Sequence, residues 1–156
     1  MATVGQICVR TVVSTSREAT IADAARLMRD HHVGSLVVTE QRGDTQRPVG
    51  IITDRDIVVE VTALDLDAAD VTVGELMGLG VSLVTAKDTD GVRETIELMR
   101  HHGLRRIPIV SMRGHLLGIV SSEDLLKAFA DDLVALGAIS SRERSREVTH
   151  RRPVSV

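Results

Sequence analysis

The stretch Gly50-Ile51-Ile52-Thr53-Asp54-Arg55-Asp56-Ile57 returns later in the chain as Gly118-Ile119-Val120-Ser121-Ser122-Glu123-Asp124-Leu125. Each copy reads as a glycine-led apolar strand end, then a hydroxyl residue, two variable residues, an aspartate and an apolar helical pattern. A hydroxyl residue three positions before an acidic residue also fits a capping box at a helix N-terminus. The repetition predicts two copies of one unit. We call residues 53–56 the first corner and residues 121–124 the second corner.

The repeat extends outward from the corners in register. Residues 3–8 are echoed by 72–77, and the short β-rich run 12–14 by 83–85. Thr20 opens an amphipathic helix, whose apolar spacing recurs from Val92 onward. Apolar strands are predicted at 36–38 and 107–110, each followed by a turn and the glycine-led strand. Pro108 cannot donate to a strand ladder, so we expect it at a sheet edge or strand end.

The predicted fold is α/β (α+β), with two β-α-β-β-α units at residues 3–64 and 72–133. One such unit is too small to bury both its helices and its sheet, so the two copies should pack together. Residues 138–156 hold few apolar residues, so we expect a flexible Arg-rich tail there. Its arginines are Arg142, Arg144, Arg146, Arg151 and Arg152.

Composition excludes several classes of function. Phe129 is the single aromatic residue, and the net charge is -3, so neither base-stacking platforms nor a general basic field favours nucleic-acid binding. The single cysteine, Cys8, rules out an internal disulfide framework and fits a reducing compartment. We find neither an export signal nor an apolar run long enough to span a membrane, so we expect a cytoplasmic protein.

Taken together, the chain closely resembles a pair of CBS domains, the tandem arrangement often called a Bateman module. The resemblance covers about residues 3 to 133. It is carried by the methionine near the end of each first helix (Met28, Met99), the apolar strand that follows, and the two Gly-x-x-Thr/Ser-x-x-Asp corners. It departs at Cys8, where the family usually has methionine; Met77 keeps that residue in the second unit.

The resemblance implies that the two units pack with pseudo-two-fold symmetry and form two clefts between them. These clefts would bind adenosine-containing ligands to regulate a partner, with no catalysis. AMP, ADP or ATP would be the ligand, with S-adenosylmethionine or NAD as alternatives, and the protein would form a homodimer. The ribose contacts implied are Thr53, Asp56, Ser121 and Asp124. The adenine contacts implied are Val12, Val13, Ser14, Ile52, Leu83, Val84, Thr85 and Val120.

The two corners differ in charge. Arg55 of the first corner is replaced by Glu123 in the second, whereas Arg105 and Arg106 replace Gly34-Ser35 upstream. Because an arginine can donate two parallel hydrogen bonds to a phosphate, we hypothesise that Arg55, Arg105 and Arg106, with His102 beside them, contact ligand phosphates and that the two clefts are unequal. The alternative is that these arginines are solvated surface charges.

Other chemistry finds little support in the sequence. Tandem histidines end both first helices, but adjacent helical residues point in different directions, so we expect no metal site. We recognise no nucleophile elbow and no glycine-rich phosphate loop, so an enzyme is not expected. Two alternatives to a nucleotide sensor remain: a structural dimer module with empty clefts, and weak nucleic-acid contact through the arginine-rich segment. The output of such a module would be an effector protein or a change in self-assembly.

Overall fold

A computed structural model describes residues 2–78 and 82–150, and the side chains of all these residues except 147–150. The first repeat begins with a short helix and then follows the predicted β-α-β-β-α order. Its elements are α1 (Val4–Ile7), β1 (Ser14–Thr15), α2 (Ile21–His31), β2 (Ser35–Arg42), β3 (Thr45–Thr53) and α3 (Asp54–Glu60), followed by a 3-10 turn at Thr62–Leu64.

The second repeat has the same order. Its elements are α4 (Val73–Met77), β4 (Ala86–Lys87), α5 (Val92–His102), β5 (Arg106–Val110), β6 (Leu116–Ser121) and α6 (Ser122–His150). Each repeat forms a three-stranded sheet, ordered β1-β2-β3 and β4-β5-β6, in which the first pair is parallel and the second antiparallel. The predicted fold class, two α/β repeats of one unit, is confirmed.

The leading helices α1 and α4 are exchanged between the repeats. The backbone N–H groups of Val4 and Gly5 donate to the carbonyls of Asp90 and Asp88, at 2.9 and 3.1 Å, so α1 is held on the second repeat. Val73 and Gly74 of α4 donate to Ala19 and Arg17 of the first repeat, both at 2.8 Å.

The two hydrophobic cores record the same exchange. Val4 and Cys8 are buried among residues of the second repeat, such as Met99 and Ile107. Val73 is buried in the core of the first repeat, beside Ile21. Each core is therefore completed by the leading helix of the other repeat. Helix α4 completes the first core, and helix α1 completes the second.

The glycine that leads each corner stretch is the place where the exchanged segment packs closest. A Cβ built on Gly118 would lie 2.7 Å from Cys8 Sγ and 2.8 Å from the carbonyl oxygen of Val9. A Cβ built on Gly50 would collide with the side-chain end of Met77. Both glycines are buried in extended strands. Close packing requires glycine at Gly118, where the neighbour includes backbone, whereas at Gly50 the neighbour is the flexible end of the Met77 side chain.

Four features differ from the sequence expectations. The first strands begin later than predicted, at Ser14 and Ala86, so 12–13 and 83–85 are lead-in segments. The short helices α1 and α4 are additional to the predicted elements. Thr72 and Glu75 form a full capping box at α4, whereas at α1 the Thr3 N–H donates to Gln6 Oε1 and the Thr3 side chain makes no capping bond.

Pro108 is the third difference, because it lies in the middle of the central strand β5, not at an edge or strand end. In the first repeat the residue at the same strand position, Val37, donates its N–H to Val13, in the segment leading into β1. Pairing between β4 and β5 begins at Ala86 and Ile109, after Pro108. The nitrogen of Pro108 therefore lies on the side of β5 that faces the segment leading into β4. Its lack of an N–H does not remove a hydrogen bond between β5 and β6.

The arginine-rich segment is the fourth difference. Instead of a flexible tail from residue 138, α6 continues without interruption to His150, and residues 138–146 are exposed. Alanine, arginine and glutamate are good helix formers, and an existing helix adds each further residue at little cost, so the segment continues α6. Arg142, Arg144 and Arg146 lie on this helix, whereas Arg151 and Arg152 fall outside the described residues.

Candidate functional site

The two corners have the same local geometry. In the first, Thr53 donates from its N–H (2.8 Å) and from its hydroxyl (2.7 Å) to Asp56 Oδ2, while the Asp56 N–H donates back to Thr53 Oγ1 at 3.2 Å. In the second, Ser121 and Asp124 form the same three bonds at 2.8, 2.7 and 3.1 Å. All four side chains are half-buried. The capping role inferred from the spacing is therefore present at both corners.

A hydrogen bond between the repeats joins the residues that are paired with the two corners. Ser35 is paired with Thr53 at the end of the first sheet, and Arg106 is paired with Ser121 at the end of the second. Arg106 reaches across and donates from Nη1 to Ser35 Oγ at 3.1 Å. Ser35 and Arg106 occupy the same position in the two repeats, so this bond spans the pseudo-two-fold axis.

Arg105, a predicted phosphate contact, is already paired with a carboxylate. Its guanidinium forms an ion pair with Glu123, with 3.1 Å between Nη2 and Oε1. Glu123 also accepts a hydrogen bond from the Ser122 hydroxyl at 3.3 Å. The pKa of Glu123 lies below its ordinary value, mainly because its carboxylate accepts a hydrogen bond from its own backbone N–H in the first turn of α6. Hydrogen bonds from Ser121, Ser122 and Arg105 lower this pKa further.

The other two predicted phosphate contacts are placed differently. Arg55 is exposed in the first turn of α3, and its side chain makes no hydrogen bond or ion pair within the described residues. The residue matching Arg105 upstream of the first corner is Gly34, which lies against the Asp54 carboxylate. His102 ends α5 with its ring edge-on to that of His101, the ring centroids 4.9 Å apart.

The predicted adenine contacts fall into two groups. Val12, Val13, Ser14, Leu83, Val84 and Thr85 are all half-buried, so each keeps surface available to a ligand. Ile52 and Val120 are 1% and 0% exposed and belong to the two cores, so their side chains offer a ligand no surface. Ile51 and Ile119 alternate to the other face of the same strands and are half-buried. The strand alternation in the sequence is the signal that points to them.

Metal and thiol chemistry receive no support from the geometry. The described part of the chain contains no group of three or more His, Cys, Asp or Glu side chains placed to hold a metal ion. Cys8 is buried beside Gly118, and burial raises the pKa of its thiol above the ordinary value. A buried, protonated thiol suits packing better than nucleophilic attack.

None of the helices in residues 2–78 and 82–150 is long and apolar enough to cross a membrane.

Sequence comparison finds the same unit twice. The profile described as "CBS domain" matches residues 4–63 and 73–131. An uncharacterized protein of Methanopyrus kandleri, MK0525, is 35% identical over 124 residues, which are 80% of this chain and 61% of that protein. Hypoxic response protein 1 of Mycobacterium tuberculosis is 34% identical over 116 residues, 74% of this chain and 77% of that protein. The chain thus spans less than two thirds of the first of these relatives.

Solved structures extend the likeness to three dimensions. A crystal structure of hypoxic response protein I, described as having two coordinated zinc ions, is 31% identical, with a TM-score of 0.69 over 81% of this chain and 98% of that one. The protein PAE2072 of Pyrobaculum aerophilum, solved in complex with AMP, is also 31% identical, with a TM-score of 0.68 over 78% of this chain and 88% of that one. The likeness in sequence therefore extends to the arrangement of both repeats.

Proposed function

This chain belongs to the CBS domain family, and from that membership we propose that it is a non-catalytic regulatory module of the cytoplasm. It binds an adenosine-containing nucleotide at its two corners and passes the occupancy to a partner. AMP, ADP and ATP are the favoured ligands, and S-adenosylmethionine and NAD are the alternatives. The effector is a separate protein or a change in self-assembly.

One observation carries this proposal: the two corners repeat a single hydrogen-bonded geometry, at the ends of β3 and β6, in a chain 31% identical to a protein solved with AMP. Asp56 and Asp124 each have a second carboxylate oxygen outside the capping bonds. We propose that these oxygens accept hydrogen bonds from the ribose hydroxyls, because an ionised carboxylate has several acceptor positions. Capping and ligand binding then use the same side chain.

The half-buried segments at 12–14 and 83–85 would contact the adenine ring. Residues 12–13 and 83–85 are the lead-ins to β1 and β4, and Ser14 begins β1 at the edge of its sheet. Ile51 and Ile119 would supply apolar contact in place of Ile52 and Val120. A ligand at these sites regulates only if it binds one conformation or assembly state more tightly than the other.

Thermal stability measured with and without ligand tests the proposal. Circular dichroism suits the measurement, because the chain has no Trp or Tyr. A ligand at a hundred times its Kd stabilises the native state by about 2.7 kcal/mol. AMP, ADP or ATP at millimolar concentration should therefore raise the Tm by several degrees. Absence of any shift with these three, S-adenosylmethionine and NAD would contradict nucleotide binding and favour a structural module.

Variants separate binding from capping. Asp56→Ala and Asp124→Ala each remove a cap and a proposed ribose contact, so both should lower the Tm and reduce the further shift caused by AMP. The matched control is Glu75→Ala, which removes the same type of capping box from α4, where Thr72 and Glu75 form three equivalent bonds. That variant should lose stability and keep the full AMP shift. An equal AMP shift in all three variants would exclude the aspartates as ligand contacts.

We also propose that the protein is a homodimer. Leu126, Phe129, Leu133 and Leu136 recur on one side of α6 at intervals of three and four residues, and they are 68, 47, 68 and 62% exposed. Contiguous apolar surface of this kind is typical of an interface between subunits. The second copy of the chain is the partner present in any preparation, and it offers an identical stripe.

Sedimentation velocity tests this association. The wild-type protein should sediment as a dimer at micromolar concentration. Leu133→Asp should shift it towards the monomer, because the variant places a charge in the stripe. Val59→Asp, at a residue of α3 that is 44% exposed, is the control for adding one charge to another apolar surface position. A monomeric wild-type protein, or a dimer that survives Leu133→Asp, would contradict the proposed interface.

A further inference from the structure

The last turns of α6 project from the rest of the chain. Every residue from 131 to 146 is exposed, although the helix runs without interruption to His150. We call residues 131–146 the arm, which is about 24 Å long at a rise of 1.5 Å per residue. A small domain has a diameter of about 30 Å, so the arm is long enough to cross most of a neighbouring molecule.

The arm has two distinct faces. One face carries the stripe that contains Leu133 and Leu136, which the homodimer proposed above uses. A second face, about a third of a turn away, consists of residues at intervals of four, three and four: Ala135, Ile139, Arg142 and Arg146. Arg144 lies on the opposite side of the helix from Arg142, because two residues turn an α-helix by about 200°.

The first repeat has an exposed surface of opposite charge. A groove of about 260 Å³ lies where the end of α3 meets α4 and residues 65–71, which link the repeats. We call it the linker groove, and it is lined by three apolar residues and three carboxylates: Leu66, Val71, Leu76, Glu60, Asp70 and Glu75. Asp65 and Asp67 are exposed in the same link. Residues 56–86 contain no lysine, arginine or histidine, so no cation of this stretch offsets the five carboxylates.

Neighbouring charges leave this opposition in place. Arg17 packs against α4, but its guanidinium is paired with Glu40, with 3.3 Å between Nε and Oε1. On the arm, Glu143 offsets one of three arginines, so residues 142–146 keep a net charge of +2. The two aspartates of the arm lie at its other end, residues 131–132, about 15 Å along the helix axis from Arg142.

We propose that the arm of one subunit docks in the linker groove of a second copy of the chain. Ile139 packs against the apolar residues of the groove, and Arg142 and Arg146 lie against its carboxylates. Two-fold symmetry forms this contact twice in each dimer. The inference rests on the proposed homodimer and goes beyond it, because it assigns a partner to the second face of α6 and to the acidic link between the repeats.

Apolar burial and charge both favour this contact. Ile139 and Leu66 are 60% and 48% exposed in the single chain, and docking removes both from water. Opposite charges on the two surfaces orient the subunits as they meet. An exposed ion pair changes an affinity by about two- to fivefold. Since each contact occurs twice, reversing the charge of Arg142 should weaken dimerisation about tenfold.

Sedimentation velocity over a range of protein concentrations measures the dimer Kd and tests the arm. Arg142→Glu should raise this Kd about tenfold. The matched control is Arg144→Glu, which makes the same change of charge on the opposite side of the helix. It should raise the Kd by about twofold or less.

The groove is tested by the double variant Glu60→Arg/Asp70→Arg. Neither side chain makes a hydrogen bond or ion pair within the described residues, so the change leaves the caps of α3 and α4 intact. This variant should also weaken dimerisation, whereas Asp44→Arg, at an exposed residue in the turn between β2 and β3, should not. Adding Arg142→Glu to the groove variant should recover most of the lost affinity, because the two surfaces again carry opposite charges.

The outcomes separate this inference from the homodimer itself. A wild-type dimer that is unaffected by Arg142→Glu and by the groove variant would overturn the inference and leave the homodimer in place. Equal weakening by Arg142→Glu and Arg144→Glu, without recovery in the combined variant, would assign the effect to net charge and would also overturn it. A monomeric wild-type protein would overturn the homodimer and the inference together.

Discussion

Replacing Gly118 by alanine tests the exchange of leading segments between the repeats. The added Cβ would lie 2.7 Å from Cys8 Sγ and 2.8 Å from the carbonyl oxygen of Val9. Both distances are shorter than the van der Waals contact distance of a methyl carbon with sulfur or oxygen. The segment containing Cys8 and Val9 must therefore move. That segment is tied to β6 by two hydrogen bonds, Val9 N–H to the Ile119 carbonyl at 2.9 Å and the reverse at 3.0 Å. Moving it stretches both bonds.

The expected cost follows from this geometry. Overpacking a buried site costs about 1–3 kcal/mol when the neighbours cannot rotate away. For a chain of this size, each kcal/mol lowers the Tm by about 2–4 °C, so Gly118→Ala should lower it by about 2–12 °C. The equivalent change Gly50→Ala meets only the side-chain end of Met77, which can adopt another rotamer. That variant should lose less than about 1 kcal/mol.

Urea unfolding followed by circular dichroism measures both costs. The unfolding midpoint should fall further for Gly118→Ala than for Gly50→Ala, at an unchanged m-value. Adding Cys8→Ala to Gly118→Ala should restore only part of the loss, because the Val9 carbonyl remains in place. Equal stability of the two glycine variants would refute the reasoning, since it would mean that the Val9 segment is not held against Gly118.

Three further predictions concern stability and reactivity. The Cys8 thiol should react with iodoacetamide far more slowly in the native protein than in urea, because burial raises its pKa; equal rates, measured by mass spectrometry, would contradict the packing of α1. Hydrogen bonds from Thr72 lower the pKa of Glu75 from its ordinary 4.5, so the ionised carboxylate stabilises the folded protein above pH 4.5. This stabilisation is lost as the pH falls through the lowered pKa. Glu75→Gln should therefore make the free energy of unfolding, measured by urea denaturation, depend less on pH in this range. Gly137→Ala should stabilise α6 by about 0.5–1 kcal/mol, because open space surrounds the added methyl group; thermal unfolding at low protein concentration checks this.

The sequence predicts the repeat, the order of the strands and the start of the helices after each corner, because these depend on local periodicity and capping. The helices α3 and α6 begin next to Thr53 and Ser121, as the capping boxes indicate. Pro108 shows the limit of that reasoning. Its place in a central strand is tolerated because β4 is short and begins after it, and strand length across a sheet is a tertiary property.

The candidate site is predictable in composition and less so in geometry. Thr53, Asp56, Ser121 and Asp124 are arranged as their spacing predicts. The sequence presents Arg105 and Glu123 as opposing influences on a phosphate, whereas the structure pairs them with one another. Residues 18 positions apart meet only because β5 and β6 are adjacent and antiparallel. The extension of α6 has a different physical basis: the segment is poor in apolar residues, which predicts flexibility, but its alanine, arginine and glutamate residues favour a helix.

The exchange of α1 and α4 has a consequence for symmetry. A single repeat on its own would carry a leading helix whose binding surface lies in another copy, and two such copies would complete each other by trading helices. The chain is thus equivalent to a domain-swapped homodimer whose subunits are joined by the segment after Leu64. In a homodimer every substitution appears twice, once in each subunit. Because both repeats lie in one chain, each can change independently of the other. Glu123 can therefore occupy the second corner while Arg55 occupies the equivalent position of the first.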